Sequence, residues 1–258
     1  MKRAAMNTHP RDETTEPVGL VVVSHSRPLA HAAVALAQEM LHGKRVRVEV
    51  AAGLDETTFG TDAAQIVEAI KAADQGQGVV VLMDLGSALL SAELALELLD
   101  DDARQRTVLC PAALVEGLIV AAVAAAGGAS TATVAAEASN ALAGKVAQLV
   151  PATAAPIDET GDVGEFTGSF VITSPHGLHI RPAARLVQEV RRRGAQVWIR
   201  NRRTGSKWVD AGVLSDLTAL DVRCGDELHL RVSGEHAAES LADILLLADH
   251  QFEDAPAT

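Results

Sequence analysis

The chain is poor in cysteine, with two in 258 residues. Cys110 and Cys224 lie far apart in sequence, which suggests reduced thiols in the cytosol rather than a disulfide framework. Basic residues are also scarce, 22 Lys and Arg against 34 Asp and Glu, for a formal net charge of −12. That balance argues against broad nucleic-acid binding, which draws on a basic face. No apolar run reaches membrane-spanning length, because the longest stretch, "ALVEGLIVAAVAAAGG", is interrupted by Glu116 and dominated by Ala. The first 17 residues lack the apolar segment of a secretory signal and are expected to form a disordered tail. No Gly-rich nucleotide loop and no histidine–cysteine cluster with metal-ligand spacing is visible.

What the sequence does have is a core. It is 48% hydrophobic, and its length suits two compact domains. Residues 148–165, "QLVPATAAPIDETGDVGE", contain two Pro, four acids and small residues, a composition that reads as a linker between separable modules. The boundaries that follow are a tail over 1–17, a first domain over 18–147, the linker over 148–165 and a second domain over 166–254. The first domain is the more acidic, with 8 basic against 15 acidic residues, whereas the second has 11 against 12.

The first domain alternates strand and helix patterns. Apolar runs at 18–23, 78–84 and 107–110, with the alternating "RVRVEVAA" at 45–52, predict strands. Helices are expected at 28–41, 60–74 (entered through Gly60 and Thr61) and 86–99, followed by two Ala-rich helices. Four such units in series predict an open parallel sheet flanked by helices, an α/β fold. Ligands then sit beyond the carboxyl ends of the strands, where His25 and Asp84 fall. An imidazole there can act as a nucleophile, with a carboxylate fixing its tautomer. His25 is thus either a phosphoryl carrier or an ordinary loop histidine, and Asp84 before a Gly-containing turn is ambiguous by itself.

The second domain holds "GSFVITSPHGLHIRPAARLVQEVRRRG". A strand and an "HGLH" turn lead into a helix closed by Gly194, which puts His179 at or next to the N-cap. An anion on its ring would meet unpaired backbone N–H groups and the positive end of the helix dipole, with Arg181 two residues on. Arg181, Arg185 and Arg192 share one helix face by spacing and could meet an acidic partner surface. Arg191, Arg192 and Arg193 also suit a helix C-terminus.

"GLHIRPAARLV" resembles the phosphorylation-site signature of HPr, the histidine phosphocarrier of the bacterial phosphotransferase system. The resemblance covers about 168–252 and implies an α+β open-faced β-sandwich of order β-α-β-β-α-β-α. The first domain resembles the mannose-type enzyme IIA fold. In "VVVSHS", "GTDAAQIVEAI", "LMDLGSALLSAELALELL" and "LVEG" it is similar to the M-subunit family of phosphoenolpyruvate-dependent dihydroxyacetone kinase.

The resemblance implies phosphorylation of His179 and His25, with Asp84, Arg181, Gly60, Thr61 and Ser87 in support, and no bound metal or cofactor. It implies a relay from phosphoenolpyruvate through enzyme I to His179, His25 and then ADP on the L subunit. The resulting ATP phosphorylates dihydroxyacetone on the K subunit. A cytoplasmic homodimer through the IIA-like domain is implied as well. A third, enzyme I-like segment carried by some members has no counterpart here, so a separate enzyme I is the expected donor. Val213 stands where regulated HPr proteins have their serine, and Ser215 is out of register, so serine control is not expected. The alternatives are a IIA–HPr fusion of a mannose-family sugar transporter, a regulatory phosphocarrier that transfers nothing onward, and a metal-binding histidine protein.

Overall fold

A computed structural model describes residues 16–149 and 166–252. Chain order in the first domain is β1 (Gly19–Ser24), α1 (Arg27–Glu39), β2 (Val48–Ala52), α2 (Ala63–Ala73), β3 (Val79–Met83), α3 (Gly86–Leu98), α4 (Asp101–Gln105), β4 (Thr107–Cys110), α5 (Leu114–Ala126), α6 (Thr131–Ser139) and α7 (Ala143–Leu149). All four strands are parallel, in the order β2-β1-β3-β4. The expected open α/β sheet is therefore present. Alternate residues of the central strands feed opposite faces, as the pleat requires. Val21, Val23, Val79 and Val81 pack with Ile66, Ile70, Ala88 and Ala95 on the side of α2 and α3. Leu20, Val22, Val80 and Leu82 pack with α1, α5 and α6 on the other side.

Boundaries differ from the sequence pattern in instructive places. Helix α2 starts at Ala63, because the Asp62 carboxylate accepts the Ala64 N–H and caps it. Gly60 and Thr61 belong to the preceding loop. Asp100 likewise caps the short α4, which apolar periodicity did not reveal. Helix α7 is a third helix after β4 and runs to Leu149, two residues into the segment whose composition reads as linker. Residues 150–165 lie outside the described chain, as does the proposed N-terminal tail up to residue 15.

The second domain consists of β5 (Phe166–Val171), α8 (Ile180–Arg193), β6 (Gln196–Asn201), β7 (Val209–Asp210), α9 (Leu214–Ala219), β8 (Glu227–Ser233) and α10 (Ala237–Asp249). Its sheet is antiparallel, in the order β5-β8-β6-β7, and the element order matches the expected α+β sandwich. Gly194 closes α8 in the left-handed region, φ 70°.

The linker composition suggests separate modules, and in this structure the two domains pack against one another. One continuous apolar cluster runs from the α1–α5–α6 side of the first sheet into Leu186, Val187, Leu214, Ile199 and Leu230 of the second domain. Helix α5 explains why. Residues Gly117 to Ala125 are buried without a break, on every side of the helix. A helix that is apolar all round needs cover all round. The sheet covers one side of α5, and α8 and α9 approach from the second domain.

Polar groups tie the same junction. Arg191 Nη2 meets both carboxylate oxygens of Glu137 at 2.6 and 2.8 Å. Its Nη1 donates to Ala124 O at 3.1 Å, and its Nε to Gly212 O at 2.7 Å. Burial pushes the Glu137 carboxyl above its ordinary range, with the Arg191 charge pulling the other way. Gln188, only 2% exposed, donates from Nε2 to the carbonyls of Met40 and Leu41 at 3.3 Å each.

Candidate functional site

The first site is built at the end of β1. Ser24 is the last strand residue, His25 leaves the sheet, and Ser26 caps α1 by accepting the Leu29 N–H. Pro28 stands in the first turn, where its missing N–H costs nothing. The neighbouring β3 ends one residue before Asp84, whose N–H donates to Val23 O at 3.1 Å. Parallel registration of β1 and β3 therefore brings residues 59 positions apart side by side.

Asp84 grips His25 at two points. Its Oδ1 lies 2.9 Å from His25 Nδ1, and its Oδ2 accepts the His25 backbone N–H at 2.8 Å. Ser24 Oγ donates to Oδ2 at 2.9 Å and the Leu85 N–H to Oδ1 at 2.7 Å. Burial works against ionisation of Asp84, but these donors outweigh it and hold the carboxyl below its ordinary range. An ionised Asp84 accepts the proton on Nδ1, which leaves the Nε2 lone pair outward. Ser87 Oγ lies 2.9 Å from Nε2 and can donate to it.

Ser87 is the second residue of α3. The Ala88 N–H donates to the N-cap carbonyl of Leu85 at 2.9 Å, while the Gly86 and Ser87 N–H groups start the helix and have no partner within it. Gly86 and Ser87 are both exposed, so this end of α3 is open to solvent. An anionic group on Nε2 would face the Ser87 hydroxyl and the positive end of α3.

Of the other expected residues, Gly60 takes part through its backbone. Its N–H donates to His25 O at 3.1 Å, and its φ of 149°, with Leu54 filling the place a Cβ would take, favours glycine. Thr61 bonds Ser91 at 2.7 Å and so links the β2–α2 loop to α3. Ser24 was not foreseen as a site residue. The only signal was its place in "SHS", at the inward end of a strand.

His179 is the N-cap residue of α8, as expected, yet its side chain makes no capping bond. The turn before it is fixed by Gly177, at φ 69°, where a Cβ would run into Val222 O. Burial, then the His176 and Arg181 charges, lower the His179 imidazole below its usual range. His176 meets His179 edge to face, with ring centroids 6.2 Å apart. Arg181 pairs with Glu39 of the first domain at 3.3 Å, both side chains exposed. Arg185 pairs with Glu189 at 3.7 Å, and Arg192 with Glu189 and Asp243 at 2.7 Å each. Arg193 also pairs with Asp243. The basic run thus makes ion pairs with specific acids and does more than sit at a helix end.

Val213 is the N-cap of α9, and Ser215 is 1% exposed. Among the described residues no group of three or more His, Cys, Asp or Glu could hold a metal ion, and no helix is long and apolar enough to cross a membrane.

Comparison with known proteins matches two families along the chain. Residues 19–135 match the family described as PTS system fructose IIA component, and residues 166–249 that described as PTS HPr component phosphorylation site. A phosphoryl donor subunit DhaM of a PEP-dependent dihydroxyacetone kinase from Listeria innocua is 36% identical over 106 residues, which cover 84% of it and 41% of this chain. The chain belongs to the DhaM family. The Pantoea ananatis member is 41% identical over 245 residues, 93% of this chain and 51% of the relative. The chain thus spans about half the length of the longer DhaM relatives it matches. An HPr-C-His crystal structure from Thermoanaerobacter tengcongensis is 26% identical over 35% of this chain and 99% of that one, with a TM-score of 0.32.

Proposed function

We propose that this DhaM family member relays a phosphoryl group from His179 to His25 and on to a nucleotide held by a partner. The supporting observation is the clamp on His25: Asp84 takes Nδ1, and Nε2 faces the exposed Ser87. In the transfer, the Nε2 lone pair forms a new N–P bond while the His179 N–P bond breaks and its electron pair returns to the donor ring. Nδ1 keeps its proton, and the Asp84 carboxylate faces the positive charge the ring gains. Such displacements depend mainly on positioning and electrostatics, which this site supplies.

The donor in this reading is enzyme I of the phosphotransferase system, itself loaded by phosphoenolpyruvate. The acceptor is ADP on the L subunit of dihydroxyacetone kinase, whose ATP then serves dihydroxyacetone on the K subunit. The chain binds no cofactor of its own and works in the cytoplasm. Leu29, Leu54, Phe59 and Leu85 are exposed within a few residues of the His25 bonds, which suits a protein acceptor better than a free nucleotide. Leu90, Leu94 and Leu98 form an exposed stripe along α3 that fits a homodimer of the IIA-like domain.

Incubation with enzyme I and labelled phosphoenolpyruvate, then mapping of the acid-labile label, tests the relay. Label is expected on His179 and His25 of the wild type and on neither site of His179→Ala. Labelling of His25 at the wild-type rate in that variant would overturn the order of transfer. Passage of label to a purified L subunit separates this reading from a sugar-transporter or purely regulatory role.

A further inference from the structure

We infer that the docked arrangement of the two domains is a closed state, and that His179 passes its phosphoryl group to His25 of the same chain only after the α8–α9 face leaves the first domain. The inference rests on the relay reading, and it starts from where the second domain is held. His25 stands at the head of α1, one residue before its Ser26 cap. The second domain is held at the tail of the same helix. Arg181 reaches Glu39 there, and Gln188 takes the carbonyls of Met40 and Leu41. At about 1.5 Å of rise per residue, the 13 residues of α1 separate head from tail by about 20 Å. Direct transfer requires the reacting atoms within about 3–3.5 Å of each other.

The sides differ as well as the ends. The His25 ring points to Ser87 at the start of α3, and α3 packs with α2 against one face of the sheet. The second domain lies against α5, on the opposite face. Arg191 binds Ala124 O near the C-terminal end of α5, which points away from the strand-end rim carrying His25. The junction is also too well satisfied to be a casual contact. The side chains of Arg191 and Glu137 are only 14% and 10% exposed, and both terminal nitrogens of Arg191 reach the first domain while its Nε is held by Gly212 O of its own domain. Release gives up these bonds and uncovers part of α5, so docking and transfer compete for the same domain.

A reversible cross-link tests this. A Cβ built at Gly144 in α7 lies 2.8 Å from the Thr218 Cβ in α9, inside the roughly 3.5–4.5 Å of a disulfide, so α7 and α9 need to part by only about 1 Å to accept the cross-link. The full chain carries Gly144→Cys and Thr218→Cys, with exposed Cys224 replaced by Ser to prevent mispairing. Oxidation should form the cross-link and leave His179 open to labelling by enzyme I. Label should then reach His25 at least about tenfold more slowly than in the same chain after reduction, as expected of a gated step. The reduced sample is the control for folding. Failure of the cross-link to form in a folded chain would overturn the docking. Equal rates before and after reduction would overturn the closed state. If His179 is labelled and neither sample nor wild type passes label to His25, the relay reading fails, and this inference with it.

Discussion

The two histidines are held in opposite ways. His25 is fixed through Nδ1 and its own backbone N–H by one carboxylate, and Ser87 addresses the remaining nitrogen. His179 has no side-chain capping bond, and its nearest basic neighbour by sequence, Arg181, is engaged with Glu39. A clamped ring is prepared for a single direction of approach. An unclamped ring at a helix N-terminus can turn between a donor on one side and an acceptor on the other, with the helix dipole as constant support. In the relay reading this difference suits the two roles: His179 serves two protein partners in succession, while His25 presents one nitrogen to whatever docks at the rim.

Removing the clamp should have the largest effect. Asp84→Ala leaves His25 Nδ1, the His25 N–H and the Ser24 hydroxyl without their acceptor. Misorientation and loss of the tautomer lock should slow phosphoryl passage through His25 by about 100-fold or more, in line with other lost positioning or electrostatic groups. Labelling of His179 by enzyme I should stay at the wild-type rate. A matching fall at His179 would mean that the two sites are not independently built. The carboxylate also contributes to pH stability. Its folded-state pKa is depressed, so its contribution is full above the ordinary 3.8 and is lost as pH falls through the lower folded value.

The next effect concerns the junction. Both tryptophans, Trp198 and Trp208, lie in the second domain, and Glu137 lies in the first. Glu137→Ala leaves Arg191 buried without its carboxylate. Breaking one side of a buried pair costs about 3–5 kcal/mol in well-buried cases, and the slight exposure here puts the expected loss at the lower end of that range. Tryptophan emission in urea should therefore report an earlier transition although the substitution is in the other domain. Adding Arg191→Ala should recover part of the loss, because the orphaned charge is gone. An unmoved tryptophan transition would show that the domains unfold independently, as the linker composition suggested.

That contrast marks the limit of what the sequence revealed. Helix and strand patterns placed His25 and Asp84 on one rim because strand ends in a parallel sheet converge there, whatever else the chain does. "GLHIRPAARLV" placed His179 because a helix cap is a local structure. The junction is long-range. Gln188 and Arg191 are ordinary polar residues of a helix, and only folding shows that their partners are carbonyls and a carboxylate more than fifty residues away. Helix α5 carried the one available hint, an apolar pattern with no polar side, and its composition was readable only as the absence of a membrane span.

The smallest effect should be seen at His179. Burial lowers its imidazole pKa below the ordinary 6.5, with the His176 and Arg181 charges acting in the same direction. The neutral ring is the nucleophile, so acceptance of label from enzyme I should persist at pH 6.5 and fall only below it. Protonation correspondingly disfavours the folded state: the stability linked to this group is full above 6.5 and declines as pH falls through 6.5 towards the folded value. His176→Ala removes one neighbouring charge and leaves burial and the Arg181 charge, so the midpoint should move up by a fraction of the original depression. A proton NMR titration of the His179 ring in both chains measures this directly. A wild-type midpoint at or above 6.5 would mean that the ring is as free of its surroundings as a peptide histidine, and the contrast with the clamped His25 would be sharper still.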